Sequence, residues 1–474
     1  MKRIVALLAA VVICLSGCLT VSPDDTQAPS TQPTQASTES TAAESTDMYT
    51  PTSASTQPDS VEPSITEPIP PETEPDSSQG ATEAPTQPPA TQPAAMVPPA
   101  TQPTATEPPV TTEPPATEPP ATQSPATEPP ATEPPATVPP VQDIDTYVMN
   151  MSLEELVGQL FLARCPGSTT GAADVQRYHL GGYILFGRDF SGQTPQSVTQ
   201  TIASYQSASA VPLLIAVDEE GGTVTRVSSQ SQFRATKFPS PRNLYNSGGL
   251  SLILQTEIEK CQLLRSLGIN VNMAPVCDIT TDPNAFMYKR SIGQDPKTTG
   301  TVIAGIVKTM AEYQVGSVLK HFPGYGNNTD THTGIAIDSR SLESLLQNDL
   351  VPFQSGIQAG CGAILISHTI VECLDSDCPA SLSPKVIAFL RGTMGFDGVI
   401  MTDDLAMQAI TDLYGSGESA VMALEAGCDL LCSTNYATQY KAVLKAVQSG
   451  RLSEEQLRAS AARILRWKHA LGLI

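Results

Sequence analysis

Leu213-Leu214-Ile215-Ala216-Val217-Asp218 is a run of five apolar residues closed by a carboxylate. A strand with one face in water alternates apolar and polar residues, whereas a strand covered on both faces is apolar throughout. This run is of the second kind, as is Ala363-Ile364-Leu365-Ile366. Similar runs occupy Gln159 to Arg164, Gly182 to Gly187, Ile269 to Pro275, Ser317 to Phe322, Val399 to Asp404 and Asp429 to Ser433, with the two quoted stretches lying in Leu213 to Asp218 and Ala363 to His368. Segments of helical period separate them, and that alternation predicts parallel strands joined by crossover helices. Eight such units in roughly 330 residues predict an α/β fold, a single closed (β/α)8 barrel over residues 141–474.

The polar residues fall where the runs stop. Arg188 follows the second run, Asp218 ends the third, Lys320 and His321 sit late in the fifth, His368 ends the sixth, and Asp403 with Asp404 ends the seventh. A strand reaching the surface explains one or two charged ends. Lys, His and Asp together at the ends of separate strands gather on the carboxyl face of a barrel, where such folds hold their sites.

Upstream the composition changes. Lys2 and Arg3 precede an apolar run from Ile4 to Leu15, the form of an export signal and too short to span a bilayer comfortably. Leu15-Ser16-Gly17-Cys18 then has the form of a bacterial lipobox, so residues 1–17 are expected to be removed and Cys18 to carry lipid that holds the chain on the outer face of a membrane. Residues 18–140 read as a disordered Pro/Thr-rich linker: from 19 to 140 there are 30 of the 42 prolines, 17 acidic residues, one Tyr, and no Lys, Arg, Phe or Trp. Repeats at Glu113 to Thr117, Glu128 to Ala131 and Glu133 to Thr137 keep the backbone extended. Fully extended as polyproline II, those 122 residues would reach about 380 Å at about 3.1 Å each.

The net charge of −22 divides into −17 from residues 19–140, +2 from Lys2 and Arg3, and −7 from residues 141–474, where 31 acidic residues face 24 basic ones. Sequence-independent binding to a phosphate backbone has no electrostatic basis here, so nucleic acid is not an expected partner. Of ten cysteines, Cys165, Cys261, Cys277, Cys361, Cys373, Cys378, Cys428 and Cys432 belong to the barrel region. None shows the paired spacing of a zinc site. Cys373 and Cys378 bracket a short polar segment that a disulfide outside the cell could close.

Lys320-His321-Phe322-Pro323-Gly324-Tyr325-Gly326 leads through Asn327, Asn328 and Thr329 to Asp330-Thr331-His332. A carboxylate two residues from an imidazole can orient the ring and stabilise its charged form, so His332 could give and then take a proton near neutral pH. Further motifs are Val217-Asp218-Glu219-Glu220-Gly221-Gly222 with Arg226 beyond it, Arg290-Ser291-Ile292-Gly293-Gln294-Asp295-Pro296, and Ile400-Met401-Thr402-Asp403-Asp404-Leu405-Ala406-Met407. In this order the four motifs resemble glycoside hydrolase family 3, in its branch of bacterial β-N-acetylglucosaminidases, over residues 145–474. The resemblance implies that Asp403 is a nucleophile, that His332 is the acid/base oriented by Asp330, and that Asp218, Arg226, Arg290, Lys320 and His321 bind the sugar. It implies a retaining hydrolase of terminal β-linked N-acetylglucosamine, and the export signal adds cell-wall fragments or other external glycans as the expected substrates. No motif calls for a metal or an organic cofactor.

Other readings attach to single residues. Asp404 is expected to cap the helix after its strand, Arg290 has the alternative of anchoring its own loop through Asp295, and Gly221 with Gly222 would let backbone approach a ligand closely. Tyr325 stands where many relatives carry a second His, and the spacing from Lys320 to His332 is one residue shorter than theirs. β-Glucosidase activity and phosphorolysis remain open on the same barrel. A metal-dependent hydrolase using His321, His332, His368 and Asp403 lacks the early His-x-His pair of such barrels, and a non-catalytic wall-binding scaffold is disfavoured by the presence of Asp403 with Asp330 and His332.

Overall fold

The computed structural model describes residues 143–326, 331 and 334–474. The expected export signal, Cys18 and the Pro/Thr-rich stretch lie outside the described residues, as do Asp330 and His332.

Each of the eight apolar runs overlaps one strand: β1 (Phe161–Arg164), β2 (Gly182–Leu185), β3 (Leu214–Val217), β4 (Val271–Asn272), β5 (Gly316–Phe322, one residue ahead of its run), β6 (Ala363–Ile366), β7 (Val399–Thr402) and β8 (Leu431–Ser433). They pair in parallel with their sequence neighbours, and β1 pairs with β8, Phe161 opposite Leu431. Between β7 and β8 a Met401–Leu430 bridge draws the ring together, with Thr402 N donating to Leu430 O (3.1 Å) and Asp429 N to Ile400 O (2.8 Å). The continuous apolar pattern has the expected cause, since Leu214, Ile215, Ala216 and Val217 are all fully buried. Burying such a side chain stabilises by about 1.5–3 kcal/mol.

β4 is shorter than its run, Ile269 to Pro275. Met273 N still donates to Val217 O (2.8 Å), but Ala274 N turns back to Asn272 O (2.7 Å), and Pro275 has no N–H to continue a ladder. The helices start where small polar residues supply an oxygen to free N–H groups. Ser152 accepts from Glu155 N while Glu155 returns a bond to Ser152 N, and Thr194, Ser240 and Asp295 cap Pro195–Ala208, Pro241–Ser266 and Pro296–Glu312, each of which places Pro in its first turn. The 26-residue helix Pro241–Ser266 is broken at Gly248 and Gly249, where the backbone leaves helical angles.

Two features depart from the sequence reading. A two-residue parallel pair, Ile337–Asp338 with Ile370–Val371, joins the loops after β5 and β6. The proposed Cys373–Cys378 bridge is absent: both are free thiols, and Cys378 Sγ instead donates to Asp375 Oδ2 and Leu382 O at 3.7 and 3.6 Å. The barrel is floored by the helix Glu454–Ala470, whose Trp467 lies against Gly316 and Gly362; a Cβ on Gly362 would come within 2.0 Å of the indole Nε1. No helix among the described residues is long and apolar enough to cross a membrane.

Candidate active site

The turn after β3 places three carboxylates differently. Asp218 points into the barrel mouth, while Glu219 folds under the loop, its Oε2 accepting from Arg226 N (2.9 Å) and Val227 N (2.8 Å) and its own N donating to Asn272 Oδ1 (2.9 Å). Gly221 (φ 104°) and Gly222 (φ 68°) turn the chain back. A Cβ on Gly221 would lie 2.3 Å from Pro239 O, and one on Gly222 2.6 Å from Ser240 Cβ. The glycine pair therefore serves a close approach to the chain's own segment 238–240, and not to a ligand.

Glu220, the third carboxylate, is buried under the mouth. Its Oε1 stands 2.6 Å from Lys320 Nζ, and its two oxygens receive Arg290 Nη2 (2.7 Å) and Nε (2.9 Å) in a bidentate pair. Lys320 also donates to Asp218 Oδ1 at 2.7 Å, and Arg226 Nη2 stands 3.7 Å from Asp218 Oδ2. Arg290 Nη2 lies 3.1 Å from His321 Nε2, whose Nδ1 is 2.8 Å from Asp278 Oδ2. A guanidinium can only donate, so His321 Nε2 accepts and Nδ1 carries the proton to Asp278. Both ring nitrogens of His321 are thus engaged within the protein.

The charges in this cluster balance. Asp218, Glu220 and Asp278 face Lys320, Arg290 and Arg226 around the His321 ring. Burial alone would push the Glu220 carboxyl up, but Lys320 and Arg290 hold it well below the usual carboxylate range. Burial would likewise raise Asp278, and His321 together with the Tyr325 N–H hold it down. Lys320 stays charged because Asp218 and Glu220 outweigh its desolvation.

Asp218, Arg226, Arg290, Lys320, His321 and Asp403 line one cavity of about 820 Å³ at the carboxyl ends of the strands. Asp403 follows β7 and Asp218 follows β3, four places apart on a ring of eight, so the two carboxylates face each other across the mouth. Asp403 Oδ1 accepts from Asp404 N at 2.9 Å, and its own N donates to Ile366 O at 3.1 Å. Asp404 caps no helix. It accepts from Ala406 N (3.0 Å) and from both Thr434 N (3.1 Å) and the Thr434 hydroxyl, fastening the loop after β7 to the loop after β8. Chemically, a carboxylate on one side of a pocket faces fixed donors and acceptors suited to hydroxyl groups on the other.

Some polar strand ends do not reach the cavity. Arg188 turns to Cys165 O, and His368 is held between Ser381 Oγ (2.7 Å) and Asp404 O (3.0 Å), where it supports the Asp404 loop. Arg290 pairs with Glu220 and not with Asp295, which caps its own helix through Thr298 N. The buried Tyr325 receives His321 edge-on at 5.2 Å, donates its N–H to Asp278 Oδ1 (2.7 Å), and shares a bond with Thr331 Oγ1 (2.6 Å). Sequence reasoning missed Glu220, Asp278 and Arg164. Glu220 had a signal, a second acid inside an acid-acid-Gly-Gly turn; Asp278 stands alone after β4 and had none. Arg164, at the end of β1, lines the cavity with its guanidinium 4.6 Å over the Phe186 ring.

Residues 152–467 match the family model described as the glycosyl hydrolase family 3 N terminal domain. Beta-hexosaminidase A of Pseudoalteromonas piscicida is 32% identical over 326 residues, covering 63% of this chain and 54% of its own length. Beta-hexosaminidase of Stenotrophomonas maltophilia (strain R551-3) is 34% identical over 262 residues, covering 54% of this chain and 77% of its own. Among solved structures, a glycoside hydrolase family 3 beta-N-acetylglucosaminidase from Paenibacillus sp. str. FPU-7 superposes with a TM-score of 0.65 at 34% identity, over 68% of this chain and 63% of that one. The chain thus spans about half of the first of these relatives and under two thirds of the Paenibacillus protein.

Proposed function

The chain belongs to glycosyl hydrolase family 3, and on that premise we propose that it is a β-N-acetylhexosaminidase releasing terminal β-linked N-acetylglucosamine with retention of configuration. The observation that carries this reading is the single cavity in which Asp403 faces the Asp218, Lys320 and Arg290 cluster. Three relatives to which this chain is similar are named for this activity, or for the N-acetylglucosaminidase form of it.

In the proposed reaction Asp403 attacks the anomeric carbon through an oxocarbenium-like transition state, forming a glycosyl ester as the leaving oxygen takes a proton from His332. His332 then draws a proton from water, whose oxygen attacks the same carbon and returns Asp403 as a carboxylate. Asp330 holds the imidazole for both steps. An imidazole needs little tuning for this, since its ordinary pKa of about 6.5 lies near neutrality. Asp218, Lys320 and Arg226 hold the sugar hydroxyls, and His321 holds Arg290 in place.

The proposal extends to location. Lipid on Cys18 anchors the protein outside the cytoplasm, the Pro/Thr-rich stretch carries the barrel away from the membrane, and the substrates are cell-wall fragments or external glycans.

The test is a panel of 4-nitrophenyl glycosides of N-acetylglucosamine, glucose, xylose and arabinose, with and without phosphate. The N-acetyl sugar is expected to be cleaved fastest and phosphate to leave the rate unchanged. Asp403→Asn is expected to lower kcat by at least about a thousandfold while the far-UV spectrum stays that of the folded barrel. Faster cleavage of the glucoside, or a sugar phosphate as product, would overturn the specificity or the acceptor respectively.

A further inference from the structure

The cavity continues past the Asp218 side. A groove of about 400 Å³ runs outward between segment 237–243 and Tyr288-Lys289, meeting the cavity at Thr223 and Lys289, which line both. Lys237, Arg242 and Lys289 bring three positive charges to it, and no carboxylate lines it among the described residues. Lys237 and Lys289 are exposed, and neither is ion-paired among the described residues. Arg242 is fixed by neutral groups, the carbonyls of Tyr288 (3.0 Å) and Thr280 (2.8 Å) and the Ser291 hydroxyl (2.8 Å), with its guanidinium 3.9 Å over the Tyr288 ring. Its charge is therefore uncompensated. In a region where acidic residues outnumber basic ones 31 to 24, a groove of this sign concentrates oxyanions.

Topology says which end of the sugar meets it. Thr223 follows β3 and Lys289 follows β4, on the side of the ring opposite β7. A sugar with its anomeric carbon at Asp403 has its far hydroxyls at Asp218 and Lys320, and the groove opens beyond those hydroxyls, away from Asp403. We propose that the groove is a subsite for an anionic ester, sulfate or phosphate, carried on a hydroxyl of the terminal sugar itself. The ester lies between the Lys237 and Lys289 ammonium groups, with the Thr223 hydroxyl and Asn243 amide as neutral donors. This assignment rests on the glycosidase reading above and names the substrate class of that site.

The experiment compares 4-methylumbelliferyl β-N-acetylglucosaminide with its 6-sulfate and its 6-phosphate. The wild-type protein is expected to process at least one ester with kcat/KM equal to or above that of the unsubstituted glycoside, the retained ester identifying the anion. The double change Lys237→Gln with Lys289→Gln is expected to lower the ester-to-unsubstituted ratio about three- to tenfold, and added salt to lower it in the wild type. Rejection of both esters by the wild type, or a ratio unmoved by the two substitutions, overturns the subsite. Failure to cleave the unsubstituted glycoside would count against the activity and not against the groove. The groove is then read by calorimetric binding of the same three compounds to the Asp403→Asn protein, where tighter binding of an ester supports it and equal affinities overturn it.

Discussion

Glu220 offers no atom to the cavity surface, yet Lys320 and Arg290 are both set by it, at 2.6 and 2.7 Å. Removing its charge leaves Lys320 with Asp218 alone and takes from Arg290 its bidentate carboxylate, and breaking a buried pair from one side costs about 3–5 kcal/mol. Glu220→Gln is accordingly expected to lower the unfolding midpoint and to cut kcat/KM on an aryl N-acetylglucosaminide by about a hundredfold, measured by calorimetry and initial rates. The same network has a direction in pH. A carboxylate held below its ordinary value stabilises the fold fully above that ordinary value, and the contribution is lost as pH falls from there through the depressed value of the folded protein. The cluster is therefore stable at neutral pH and weakens only below about pH 4.

The turn after β3 shows how a local element positions the site. Gly221→Ala would place a methyl group 2.3 Å from Pro239 O at a φ of 104°, a conformation that costs an L-residue about 1–3 kcal/mol before the clash is relieved. Thermal unfolding of this variant is expected to show the loss, and KM for the sugar to rise because Asp218 and Glu220 flank the turn. Most elements of this kind were legible in the sequence. The strands were readable because burial on both faces removes polar residues from them, so every run held a strand; the β4 boundary failed because Pro275 ends a ladder that its apolar neighbours would continue. Asp218, Lys320 and Asp403 were readable because strand ends converge in a barrel. Asp278 was not, because its partner His321 lies on another strand and no sequence pattern links them, while Glu220 carried only the signal of its Gly-Gly turn, its partners Arg290 and Lys320 lying on other strands or loops. The short Ile337–Asp338 and Ile370–Val371 pair was hidden for the same reason.

At the scale of the molecule, one cation sets a stability dependence of its own. Lys468 is fully buried in the floor helix, bonded to Gln159 Oε1 at 2.8 Å, and burial pushes its pKa down to about 7. Below pH 7 it is charged in both folded and unfolded chains, and its desolvation cost is complete. Between pH 7 and about 10 only the unfolded chain holds the proton, so stability climbs with pH through that window. Lys468→Met is expected to stabilise the barrel, its advantage larger at pH 6 than at pH 10 by about 2–4 kcal/mol, as read from denaturant unfolding at the two values. The anchoring proposed for Cys18 is tested by Cys18→Ser, which should move the protein from the membrane fraction to the soluble fraction of the producing cell; retention on the membrane would overturn it.

The pairing of β1 with β8 reaches further than closure of a ring. Phe161 waits for Leu431, so a chain emerging from its amino end carries one raw strand edge until nearly all of it is present. Within the barrel, the strand Leu431–Ser433 is what covers that edge. A fragment cut before Leu431 leaves β1 without its closing partner, so the ring is completed as a whole or not at all.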